Sequence, residues 1–168
     1  CFVPDGKYSE FIDRYLEHEG RSRESPSSGE IVNTAGETVG EHTGIHRYTI
    51  GQRRGLGIAN DKPLYVLQIE RAKNQIIVGE DFELDTLEFV AKGVNWVAFD
   101  EPTEPVRAAV KVRYRHEPAP ATIHALPAAR ARIVFDEPQR AITPGQATIF
   151  YDIETQDEVV GGGWIEKI

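Results

Sequence analysis

The first repeating pattern along the chain is helical. YSEFIDRYLEHE (8–19) spaces Tyr8, Phe11, Ile12, Tyr15 and Leu16 three and four residues apart, with charged residues between them. That spacing predicts one amphipathic helix. GRSRESPSSG (20–29) then breaks it with Gly, Ser and Pro. Beyond this point the period is two. EIVNTAGETVGEH (30–42) reads as a β-hairpin turning at Ala35-Gly36, and HRYTI (46–50) alternates like a strand. PLYVLQIE (63–70) and QIIVGE (75–80) read as a second hairpin, turning at Ala72-Lys73-Asn74. GQRRGLG (51–57), with three glycines in seven residues, is predicted to be irregular.

Around Asp81–Asp85 the pattern changes. LEFVAKGVNWV (87–97), VRAAVKVRY (106–114), ATIHAL (121–126), ARIVFD (131–136), ATIFYD (147–152) and EVVGGGWI (158–165) are short, evenly spaced candidate strands separated by Pro and Gly turns. Such a series predicts a small closed barrel or sandwich. The expected fold is therefore mostly β. A small α+β domain with one helix and a mostly antiparallel sheet occupies 1–82, and a β-barrel domain occupies 83–168. No internal repeat is visible.

Composition narrows the class. A chain of 168 residues, 40% of them apolar, makes one globular domain or two small ones. No run approaches the roughly 18 apolar residues that span a bilayer, and no leader pattern is present. The one cysteine, Cys1, excludes an internal disulfide framework and a cysteine zinc cluster. A reducing, cytoplasmic home is expected. There is no methionine, even at the first position, so residue 1 reads as a cut site or as the edge of a fragment, and the fragment is the expectation.

A net charge of -8 argues against a nucleic-acid binder, because phosphate contacts need Lys and Arg. The charge is uneven, however. Acids crowd into 10–41, 80–104 and 152–158. GIHRYTIGQRRGLGI (44–58) holds Arg47, Arg53 and Arg54 and no acid, and KVRYRH (111–116) holds Lys111, Arg113 and Arg115 and no acid. An acidic body with basic patches binds RNA locally. The ordinary alternative is that these arginines are merely solvated.

Candidate chemistry is sparse. His42 and His46 are four apart, a metal-binding spacing on a helix, but Gly44 and the strand pattern oppose a helix and no third ligand is evident. No metal is expected. GQRRGLG lacks the Gly-Lys-Ser/Thr ending of a phosphate-binding P-loop and the strand-to-helix step. Arg53 and Arg54 keep it as a candidate contact for a phosphate backbone. On a strand, Arg113 and Arg115 share one face while Tyr114 takes the other and packs inward. At a strand end, Tyr114 is instead free to stack on a base. TPGQ (143–146) is a turn by composition, and GGGW (161–164) predicts a bulge or tight bend near barrel closure. Cys1 has three readings: the edge of a fragment, an N-terminal nucleophile, or half of a reactive pair. A nucleophile hydrolase needs a layered αββα fold, which a single predicted helix does not supply.

CFVPDG with YSEFI, then GEHTGIHRYTIGQRRGLGIA, PLYV, VKVRYR, VFDEP, AITPGQATIFYD and GGGWI, run in this order from residue 1 to the last few residues. Together they resemble the bacterial tRNA-specific 2-thiouridylases. The resemblance implies a three-module enzyme: an N-terminal ATP-pyrophosphatase domain, a small central domain, and a C-terminal barrel similar to the second domain of elongation factor Tu. This chain carries the last two. The family's Ser-Gly-Gly-x-Asp-Ser nucleotide signature and its other catalytic cysteine are not in this sequence, and both are expected upstream. ATP is then bound by the missing domain, and no metal is implied.

The implied activity transfers persulfide sulfur to carbon 2 of the wobble uridine of tRNA after ATP-dependent adenylation. Cys1 matches the cysteine that carries the persulfide, loaded by a cysteine desulfurase or a sulfur-relay protein. The upstream cysteine then forms a transient disulfide with it. A soft, nucleophilic thiolate beside a partner thiol suits that exchange, and covalent loading splits a hard displacement into easier steps. Arg113, Tyr114 and Gln146 match family positions that touch tRNA. Arg53 and Arg54 lie in a family motif and are carried as further candidates. Implied partners are tRNA, the sulfur donor and the enzyme's own N-terminal domain. The alternative is a non-catalytic tRNA-binding barrel.

Overall fold

The computed structural model describes residues 8–19 and 28–167. Cys1 lies outside them. The chain divides into two compact units, residues 1–83 and 84–168.

The first unit holds helix α1 (Tyr8–His18) and strands β1 (Gly29–Asn33), β2 (Thr38–His42), β3 (Tyr65–Glu70) and β4 (Gln75–Gly79). Both predicted hairpins form. In the first, Asn33 Oδ1 accepts the backbone N–H groups of Ala35 (3.0 Å) and Glu37 (2.8 Å), which folds the turn locally. The sheet order is β2-β1-β4-β3. The hairpins join through their inner strands, and β1 runs parallel to β4 with Ile31 opposite Ile76. The sheet is therefore mixed, antiparallel within each hairpin and parallel between them. Its buried side is Ile31, Val66, Ile76 and Val78, with Leu56 added from the glycine-rich loop.

Residues 46–50 do not form the predicted strand. Ile45–Arg47 make one 3-10 turn, entered through Gly44 at φ 133°. Ile45 and Tyr48 both pack against the core. A strand would send residues three apart to opposite faces, whereas the tight turn brings both inward.

The second unit is a closed barrel in the order β10-β5-β8-β7-β6-β9. Its strands are β5 (Asp85–Trp96), β6 (Val106–Lys111), β7 (Ala119–Leu126), β8 (Arg130–Arg140), β9 (Ala147–Asp152) and β10 (Val159–Lys167). All neighbours are antiparallel. Phe89, Phe150, Ile123, Ile133 and Ile165 fill the interior. β10 closes the barrel by pairing with both β5 and β9, and its register slips against each partner at the glycine run. A Cβ on Gly161 would lie 2.9 Å from Asn95 O, and one on Gly163 2.9 Å from Lys92 O. The glycines let neighbouring backbone approach closely.

β6 ends at Lys111, so Arg113–Arg115 are not on the predicted strand. Val110 pairs with Ala119, which forces the chain to reverse direction within residues 112–118. The N–H of His116 donates to Arg113 O (3.1 Å) and closes a turn there.

Candidate functional site

The barrel topology brings Arg113, Tyr114 and Gln146 to one end. β6 and β9 are antiparallel, with Lys111 opposite Ile149. The chain thus leaves β6 where it enters β9. Thr148 Oγ1 donates to Lys111 O (3.1 Å) and ties the two strands at that point. Gln146 sits on a turn whose geometry its residues dictate. Pro144 suits the first corner, Gly145 takes φ 85°, and Gln146 N–H donates to Thr143 O (3.3 Å), as in a type II turn. β10 then clamps the turn: Gly145 N–H donates to Ile165 O (2.8 Å), and Ile165 N–H to Gln146 O (2.9 Å).

Tyr114 is 91% exposed, so it does not pack inward. Arg113, Arg115 and Gln146 are exposed beside it. Among the described residues no acid is ion-paired with either arginine. The barrel wall differs. There Arg107 forks onto Asp136 (2.7 Å to each oxygen), Arg132 pairs with Glu88, and Arg130 with Glu166 (2.8 Å). The Arg107 fork holds the Asp136 carboxyl below the usual carboxylate range. Half-buried His116 lies in the same loop as Arg113. Burial lowers its imidazole pKa below the ordinary value, and the positive charge of Arg113 lowers it further. The end of the barrel thus offers unneutralised guanidinium groups, an open phenol ring and an amide, which are groups that meet phosphates and unpaired bases.

Arg53 and Arg54 lie in the other unit, on the glycine-rich loop. Gly51, Gly55 and Gly57 all take positive φ, at 83°, 77° and 69°. Gln52 holds the loop from within: its Oε1 accepts Thr49 N–H (3.0 Å) and its Nε2 donates to Arg54 O (3.0 Å). Gly51 N–H donates to Val66 O (2.8 Å), Val66 N–H donates to Gln52 O (2.9 Å), and Leu56 is buried as an anchor. Both arginines are left pointing to solvent. Arg53 lines an open hollow of about 370 Å³, together with Asp61 and Lys62. Lys62 is already paired with Glu80 (2.9 Å), so the hollow carries mixed charge. The loop leads to β3 and not into a helix.

His42 is 1% exposed. Its Nδ1 accepts Gly44 N–H (3.1 Å), which leaves the proton on Nε2, and that group donates to Asn74 O (2.9 Å). The ring fastens the end of β2 to the β3–β4 turn, and both nitrogens are used. Among the described residues no three His, Cys, Asp or Glu side chains gather as a metal site. No described helix is long and apolar enough to cross a membrane. Sequence reading missed the parts played by Gln52 and His42. The signal was present for Gln52, a lone amide inside a loop of left-handed glycines.

Comparison with known proteins follows the two units. Residues 9–80 match the family described as tRNA methyl transferase PRC-barrel domain. Residues 86–165 match the family described as Aminomethyltransferase beta-barrel domain. Over 98% of its length the chain is 52% identical to the tRNA-specific 2-thiouridylase MnmA of Acidobacterium capsulatum. It is 49% identical to that of Koribacter versatilis over 98%, and 46% identical to that of Trichormus variabilis over 99%. The chain spans less than half the length of these relatives, 44% to 45%.

Proposed function

The chain belongs to the tRNA-specific 2-thiouridylase family, as its central and C-terminal domains, and we propose that in the whole enzyme it docks tRNA on its barrel and carries sulfur on Cys1. The observation that carries the docking half is the meeting of Arg113, Tyr114 and Gln146 at one end of the barrel, unneutralised and open to solvent. Arg113 supplies charge for a phosphate, Tyr114 a face for a base, and Gln146 both a donor and an acceptor. Arg53 and Arg54, exposed on the loop of the first unit, are proposed separately as phosphate contacts.

The sulfur half rests on the match of CFVPDG to the family. In this reading a cysteine desulfurase or relay protein loads Cys1 as a persulfide. Its outer sulfur attacks carbon 2 of the wobble uridine, whose 2-oxygen leaves with the adenylate. A second cysteine, in the part of the relatives that this chain does not span, then attacks the Cys1 sulfur. The S–S bond breaks, the uridine keeps the sulfur, and a disulfide to Cys1 remains. The described residues do not fit ATP, since no glycine-rich loop among them leads into an α-helix. Its handling falls to the unspanned part. The site of action expected is the cytoplasm.

The test uses the whole enzyme with Cys1→Ser. Nucleoside analysis of its tRNA is expected to find no 2-thiouridine, with tRNA affinity unchanged. Normal thiolation by that variant refutes the sulfur role. For the docking role, the 168-residue chain is titrated with tRNA at rising salt. Affinity that ignores salt contradicts phosphate contact.

A further inference from the structure

We infer that Trp164 is a base-stacking contact on the same RNA surface, extending it from Gln146 onto the outer wall of the barrel; this rests on the docking role proposed above. The chain has two tryptophans. Trp96 packs on Phe99 and Phe150, with ring centroids 5.5 and 5.9 Å apart. Trp164 is 54% exposed and makes no aromatic pair among the described residues. A large apolar ring left in water on a wall strand has lost the burial that would otherwise explain it.

Its outward direction follows from the backbone. The register slip between Gly162 and Trp164 sets the parity of β10, so that Ile165 enters the core at 1% exposure and Trp164 faces out. Across β9 its partner is Ala147, and across β5 it is Lys92. Gly93 lies beneath, and a Cβ there would meet Trp164 Cδ1 at 3.8 Å. Ala147 and Gly93 leave the indole uncovered, and Ile149, two residues along β9 from Ala147, is exposed on the same face.

The occupant follows from charge and position. Lys92 is exposed and has no ion pair among the described residues, while Glu166, two residues after Trp164, pairs with Arg130. Gln146 is fixed through its carbonyl to Ile165, the residue after Trp164. An exposed indole flanked by an unneutralised lysine, continuous with Gln146 and the Arg113–Arg115 loop, has the composition of a platform for an unpaired nucleotide. The base stacks on the ring and the phosphate meets the lysine.

The experiment measures binding of unmodified tRNA transcript, and of a fully paired RNA duplex, to the 168-residue chain. Trp164→Ala is expected to weaken tRNA binding roughly tenfold, while Trp164→Phe keeps most of the affinity. Duplex binding is expected to be unchanged, because a paired base offers no free face. In a Trp96→Phe background the remaining indole fluorescence is expected to be quenched by tRNA. Wild-type affinity in Trp164→Ala, with Arg113→Ala weakened, overturns the Trp164 assignment and leaves the docking role standing. No tRNA binding by the unaltered chain overturns both. Equal loss on duplex and tRNA assigns Trp164 a structural part and also overturns the proposal.

Discussion

At the scale of single residues, the exposed end of the barrel separates groups that act by charge from groups that act by shape. Arg113→Ala is expected to weaken tRNA binding and reduce the slope of log affinity against log salt by about 1, as for one lost phosphate contact. Tyr114→Ala is expected to weaken binding with the slope unchanged; a changed slope would contradict stacking. Salt-dependent titrations of both variants check this. His116 gives a pH prediction from the same loop. Its pKa in the folded protein is lowered, by burial first and by Arg113 second. The unfolded chain therefore takes up that proton more readily. Stability from this group is fully present above the unfolded value of about 6.5 and is lost as pH falls below it. His116→Asn is expected to lose less stability than the parent between about pH 7 and pH 5.5, read by denaturant titration at each pH.

At the scale of elements, loops and bulges carry most of the sequence's distinctive residues. GQRRGLG holds its shape by three positive-φ glycines, the Gln52 side-chain bonds and buried Leu56. Gln52→Ala removes two hydrogen bonds and is expected to cost about 1–2 kcal/mol in chemical denaturation. The glycine run of β10 is tighter. Gly161→Ala sets a Cβ 2.9 Å from Asn95 O, a backbone atom that cannot swing aside. It is expected to destabilise by about 1–3 kcal/mol, an overpacking cost. An unchanged denaturation midpoint would show that the strands move apart freely. Both hairpins of the first unit and most barrel strands were legible, because a period of two between turn residues is a local signal. HRYTI was misread because a tight turn, not a strand, brings Ile45 and Tyr48 inward, and the end of VRAAVKVRY for another reason. Apolar residues continued the alternation past the point where hydrogen bonding ended. Val112 is indeed buried, but the chain is already turning there to bring Ala119 opposite Val110.

For the whole molecule, each unit has its own interior. The barrel cluster draws only on residues from Phe89 onward, and the sheet cluster only on residues up to Val78. Residues 84–168 expressed alone are therefore expected to melt in one cooperative transition by near-ultraviolet circular dichroism. A broad, non-cooperative melt would show that the barrel depends on the rest of the chain. The net charge of -8 bears on the RNA role at the same scale. Much of the wall's positive charge is spent on Asp136, Glu88 and Glu166, while the barrel end keeps its arginines unneutralised. A chain repelled by RNA on average still offers a local field of the right sign.

The amino-acid order by itself determined the mostly β class, the positions of the turns, and the residue types at the candidate site. Each follows from neighbours a few positions apart: periodicity, glycine and proline chemistry, and the run of motifs shared with a family. Tertiary structure alone decided that Arg113–Arg115 and Gln146, some thirty positions apart, share one end of the barrel. It also decided that Tyr114 and Trp164 face water, and that His42 clamps a turn. Those outcomes depend on strand register and on closure of β10 against β5 and β9. Register is set by hydrogen bonds between distant segments, and a slip of one residue sends every side chain to the opposite face.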